Sequence, residues 1–223
     1  MRLTRRRLLA AVAALSAAGA AALMARAASA RYYHGPVSDH FDGTRFFDVN
    51  GAPPRSLADV IRWRMSGAAR NWPAWSASPH SDRPPSRIEG RSWRISFVGH
   101  ATLLIQTAGL NLLIDPVWSE RVSPLSFVGP KRVNDPGIAF EALPPIDAVL
   151  VSHCHYDHLD LPTLSRLAAV HASRVIAPLG NDTIMRGHDK AIAAEAHDWG
   201  DRWRCRAEPR SHWCRCSIGR GGA

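Results

Sequence analysis

Cysteine is scarce and poorly distributed for cross-linking: of the four residues Cys154, Cys205, Cys214 and Cys216, three fall within the last 19 positions. That pattern excludes a balanced disulfide framework. Cys205, His212, Cys214 and Cys216 could make a zinc knuckle, but their spacing matches no standard finger. Lysine is nearly missing, with 2 residues against 26 arginines, as expected of a GC-rich gene. An uncharged run long enough to cross a bilayer is missing too, since residues 8–24 supply 17 small apolar positions where roughly 20 are needed. No internal repeat is present, which excludes solenoid and propeller arrays.

Acidic residues are absent from the first 30 positions, and this decides how the net charge of +9 should be read. Residues 1–30 hold five arginines, and residues 202–223 hold six against Glu208 alone. Without the two ends, 17 basic residues face 18 acidic ones. A duplex-binding protein gathers cations on one face to displace phosphate counterions, and the middle of this chain has no such cluster. No nucleic-acid partner is therefore expected, and nothing in the sequence speaks to oligomeric state.

The beginning of the chain reads as an address. A basic start is followed by an alanine-dominated run, and Ala28-Ser29-Ala30 gives the small residues that a signal peptidase accepts. Thr4-Arg5-Arg6-Arg7-Leu8-Leu9 also resembles a twin-arginine signal. The expected organisation is a signal peptide over 1–30, an arm with one short helix over 31–91, and a catalytic domain over 92–223. An exported protein, periplasmic or membrane-associated, follows from that reading.

Within the arm, Ser56 can cap a helix running to about Met65, with Leu57, Val60, Ile61 and Met65 at helical spacing and one face docked on the core. Residues 71–85 carry four prolines and should be loop. Strands are expected at 93–98, 102–107, 111–114, 146–152 and 174–177, with a helix at 161–171 turning Leu164, Leu167 and Ala168 inward. Hairpins followed by strand and helix alternation imply a layered α/β fold.

The segment Ile146-Asp147-Ala148-Val149-Leu150-Val151-Ser152 is a largely apolar strand that runs into His153-Cys154-His155-Tyr156-Asp157-His158. Alternate residues of a strand share a face, so His153 and His155 can aim at one point. A turn into the following helix would bring Asp157 and His158 beside them. Three histidines and an aspartate within six residues are costly at a strand end unless something satisfies them. Zn²⁺ is the usual occupant of such imidazole and carboxylate sets. One ion can acidify a water while a second polarises the substrate. Asp115 ends a strand before a proline, and it serves either to orient a ligand histidine or as a plain turn residue. Lone histidines such as His34, His40, His80, His171 and His188 are read as structural.

The run His153-Cys154-His155-Tyr156-Asp157-His158 resembles the signature of the metallo-β-lactamase superfamily. Phe97-Val98-Gly99-His100-Ala101-Thr102, Leu113-Ile114-Asp115-Pro116-Val117-Trp118-Ser119, Gly129-Pro130-Lys131-Arg132 and Leu143-Pro144-Pro145 narrow the resemblance to the branch that hydrolyses N-acyl-phosphatidylethanolamine in the manner of a phospholipase D. It runs from about Trp93 to Trp213 and implies an αββα sandwich, here its first half with part of the second. It also implies that His153 and His155 hold the first metal, with His212 of Ser211-His212-Trp213 as third ligand, and that Asp157 and His158 hold the second and act in catalysis.

The implied activity is zinc-dependent phosphodiester hydrolysis. A phospholipid or small ester is the expected substrate, and a membrane surface is a further expected partner. A lactonase or other ester hydrolase, or a non-catalytic remnant, are the alternatives. The family's bridging aspartate and late histidine have no counterpart after Cys214, and residues 215–223 carry no apolar periodicity. Residues 215–223 are therefore not expected to make a sheet, and the stretch from about 203 is expected to reflect a shifted or shortened reading frame, with at most one well-bound metal and little turnover.

Overall fold

The computed structural model describes residues 32–51, 56–66, 73–123, 127, 129–206 and 213–217. At residues 204–206 and 213–217, and at Leu57, Val60 and Arg64, the description covers backbone alone. The chain divides into two compact units, Met1–Ala69 and Arg70–Ala223.

Among its described residues the first unit holds one helix, α1 (Leu57–Met65), which begins as its sequence requires. Ser56 accepts from the Asp59 N–H while the Asp59 carboxylate accepts from the Ser56 N–H, a reciprocal capping box. On its apolar face Ile61 and Met65 are 50% and 81% exposed. Helical spacing predicted a stripe but could not say what would cover it. Elsewhere in this unit Tyr33, Phe41 and Phe46 form an aromatic cluster with centroids 4.7–5.2 Å apart.

The second unit is built on a six-stranded sheet in chain order: β1 (Trp93–Gly99), β2 (Thr102–Thr107), β3 (Leu110–Ile114), β4 (Ala148–Leu150), β5 (Arg174–Pro178) and β6 (Ala193–His197). The first three strands are antiparallel, and β3 to β6 run parallel. Parallel neighbours need a crossover: the long segment after β3 leads to β4, while α2 (Leu161–His171) and α3 (Asn181–His188) supply those of β4–β5 and β5–β6. Register puts Leu104, Leu113, Val149, Val175 and Ala194 in one row on one face. Leu164 and Leu167 of α2 and Met185 of α3, all fully buried, join that row in one apolar cluster. Each such side chain contributes about 1.5–3 kcal/mol.

The opposite face carries Leu110, Leu112, Ala148 and Ile176, packed with Trp203. Trp203 belongs to β7 (Arg202–Arg206), which pairs antiparallel with β8 (Trp213–Ser217) in a separate two-stranded ribbon. This corrects the expectation that the end of the chain makes no sheet. Residues 202–206 and 213–217 register Trp203 against Cys216 and Cys205 against Cys214, and backbone pairing needs no run of β-branched side chains. At the β1 end of this face Trp93, Ile95 and Phe97 remain exposed.

Because β1 is antiparallel to β2 and β2 to β3, the end of β1 lies at the same sheet edge as the ends of β3 and β4. Gly99 pairs with Thr102, and Leu103 pairs with Ile114. The loops after these three strands therefore meet, at the carboxyl edge where α/β sheets place their ligands.

Candidate metal centre

Asp115 organises that edge. It follows β3 with φ 42°, a left-handed conformation that aspartate tolerates better than most residues. Its N–H donates to the Leu150 carbonyl at 2.8 Å, and its own carbonyl accepts from Thr102 Oγ1 at 2.7 Å. Its buried carboxylate accepts from the Ser152 N–H and hydroxyl, both at 2.7 Å, and from His158 Nδ1 at 2.8 Å. One residue, through its backbone and its carboxylate, thus ties the start of β2 and the ends of β3 and β4 to a candidate ligand. Of the two readings left open by the sequence, the geometry has Asp115 holding a histidine.

These bonds also fix where protons sit. An ionised carboxylate only accepts, so His158 carries its proton on Nδ1, and in the neutral ring Nε2 keeps a lone pair. Ser152 gives its single hydroxyl proton to Asp115 and so accepts from His153 Nδ1 at 2.9 Å. His153 Nε2 is then an acceptor as well, 3.0 Å from His155 Nδ1. Burial, and after it the neighbouring His158 and His155, lower the pKa of His153 and favour the neutral ring that can bind a metal. The His153 and His158 ring centroids are 4.0 Å apart.

Asp157 lies on the turn closed by the His158 and Leu159 N–H groups on the His155 carbonyl. Its pKa is lowered: burial acts to raise it, but its own backbone N–H, the His100 hydrogen bond and the neighbouring His158 and His100 rings together outweigh burial. Asp157 Oδ2 is 2.9 Å from His100 Nε2 and 3.7 Å from His158 Nε2. Ligand-type atoms of His100, Asp157 and His158 all lie within 4.8 Å of one another.

The segment is held from behind by Asp160, 4% exposed, which caps α2 and receives the N–H groups of Trp118 and Ser119 at 3.1 and 2.9 Å. Pro162 in the first turn of α2 suits a position whose N–H has no helical partner. The loop after β3 and the helix after the histidine run are thereby locked together.

The structure brings His153, His155, Asp157 and His158 to one edge with Asp115 behind them, and His212 lies outside the described residues. Sequence reasoning did not single out His100 or Ser152. His100 follows Gly99 directly after a strand, but its nearness to Asp157 depends on strand order that local pattern does not encode. Ser152 differs from an ordinary strand-end serine only through Asp115.

Residues 110–218 match the beta-lactamase superfamily domain. An uncharacterized protein of Mycobacterium tuberculosis is 34% identical over 182 residues, covering 79% of this chain and 45% of that protein. The N-acyl-phosphatidylethanolamine-hydrolyzing phospholipase D 1 of Caenorhabditis elegans is 37% identical over 111 residues, covering 48% of this chain and 31% of that protein. A UPF0173 metal-dependent hydrolase of Opitutus terrae is 33% identical over 85 residues, covering 38% and 31% respectively. Residues 110–218 are thus a metallo-β-lactamase superfamily domain. The chain spans less than half the length of these relatives.

Proposed function

We propose that this chain is a zinc-dependent hydrolase of phosphodiester bonds in phospholipids. The observation that carries the reading is the convergence of His153, His155, Asp157 and His158 at one sheet edge, with Asp115 setting the His158 tautomer. Imidazole nitrogens with a carboxylate fit Zn²⁺. His153, His155 and His212 would hold a first ion, Asp157 and His158 a second. Zinc bound there supplies a water nucleophile at neutral pH and positive charge for the substrate's phosphoryl oxygen.

The residues themselves do the rest. Asp115 and Ser152 keep the lone pairs of His158 and His153 on Nε2. Asp157, held anionic, accepts hydrogen bonds or binds a cation without first losing a proton. Substrate class is supported by the named C. elegans relative together with the neutral middle of the chain. We further propose export, on the strength of residues 1–30. Among the described residues no helix is long and apolar enough to cross a membrane.

The test is to assay the zinc-supplemented protein against N-acyl-phosphatidylethanolamine, an aryl phosphodiester and a lactone. Phosphodiester cleavage that is lost with a chelator and with Asp157→Asn is expected. Turnover of the lactone alone would replace this reading with an ester hydrolase. Metal-loaded protein inert on all three would refute hydrolysis by this chain.

A further inference from the structure

We propose that His100, from the turn after β1, is a third protein ligand at the Asp157–His158 metal position. The inference rests on the metal reading above and assigns a residue outside the histidine run and outside the matched domain, 110–218.

A tetrahedral ion with ligand bonds of about 2.0–2.2 Å holds its donors about 3.3–3.6 Å apart. The Asp157 Oδ2 atom is 2.9 Å from His100 Nε2 and 3.7 Å from His158 Nε2, so the two edges straddle that value. All three donors lie within 4.8 Å of one another, and small rotations would seat them on one cation. The His100 and His158 rings meet edge to face with centroids 5.4 Å apart.

How His100 reaches this place supports the assignment. The β1–β2 register shifts between Phe97 and Gly99, Gly99 has φ 145°, and His100 itself has φ 52°. Histidine is among the residues that tolerate a left-handed φ, and this turn brings its Nε2 to the Asp157 carboxylate from outside the histidine run.

The consequence is that the second position has three protein donors within the described residues and a fourth corner open to water or substrate, the arrangement of a catalytic rather than a structural site. The first position has two, His153 and His155, among the described residues.

The experiment uses the full chain and three variants: His100→Asn, chosen because asparagine tolerates a left-handed φ, His100→Cys, and His153→Ala/His155→Ala. Folding is checked by circular dichroism. Zn²⁺ stoichiometry and affinity are measured by equilibrium dialysis, and Co²⁺ serves as the spectroscopic probe. The expected result is that His100→Asn weakens one Zn²⁺ equivalent by about tenfold or more and changes the Co²⁺ visible bands. His100→Cys should add a thiolate-to-Co²⁺ charge-transfer band absent from wild type, and His153→Ala/His155→Ala should keep the His100-dependent equivalent. Unchanged Zn²⁺ affinity and Co²⁺ spectra in both folded His100 variants would overturn the proposal and leave the metal centre standing. Wild-type protein that takes up no Zn²⁺ would overturn both.

Discussion

Replacing Asp115 by asparagine tests the proton arrangement at the site without changing its shape. The carboxylate makes three acceptor contacts, to the Ser152 N–H and hydroxyl and to His158 Nδ1. An asparagine has one acceptor oxygen and one NH₂ donor. If the oxygen stays with the Ser152 N–H, the NH₂ faces His158 Nδ1, which must then accept. The His158 proton moves to Nε2, the atom turned toward Asp157 and the metal position. An outer partner of this kind is worth about 10- to 100-fold in metal affinity, or about 1.4–2.7 kcal/mol. The folded state loses in addition one hydrogen bond to a charged acceptor, about 1.5–3 kcal/mol. Zn²⁺ affinity is read by competition with a chromophoric chelator, and stability by urea unfolding. A folded Asp115→Asn protein that binds Zn²⁺ within about twofold of wild type would refute the tautomer argument.

Three other substitutions probe the frame around the site. Asp160→Ala removes the α2 cap and leaves the Ser119 N–H without its carboxylate, so urea unfolding should show a loss of about 2–4 kcal/mol. Ala172 ends α2 with φ 49°, and Ala172→Gly should raise stability by about 0.5 kcal/mol net in the same assay, since the relief of a left-handed alanine exceeds the added freedom of the unfolded chain. The Arg174 hydrogen bonds lower the pKa of Glu195, so the unfolded state binds more protons and stability is lost as pH falls below 4.5 toward the folded value. With both side chains well exposed, Glu195→Gln should cost less than about 1 kcal/mol at pH 7 and flatten the acid side of a pH-stability curve.

Most of the sheet was legible from short-range pattern. The helix expected at 161–171 and the strand at 102–107 coincide with α2 and β2, because each has a clear boundary: Asp160 and Pro162 at the start of α2, Gly99 and Gly109 around β2. The strand expected at 146–152 is regular only over Ala148–Leu150, since the chain must already be leaving the sheet to present His153. β6 was not expected at all. Its sequence, Ala-Ala-Glu-Ala-His, has little β character, and it is a strand because β5 offers it a parallel partner. The pairing of residues 202–206 with 213–217 was missed because it depends on register rather than on apolar periodicity. At the site, the histidine run could be singled out from residue type and spacing, and so could Asp115 as one of two alternatives. His100 could not, because only an antiparallel β1–β2–β3 arrangement carries it to the edge where β4 ends.

The most direct measurement is an anomalous difference map from crystals of the zinc-loaded protein. The account predicts a zinc peak about 2.0–2.2 Å from both His158 Nε2 and the Asp157 carboxylate. Zinc found only elsewhere on the molecule, with His153, His155, Asp157 and His158 contacting none of it, would contradict it.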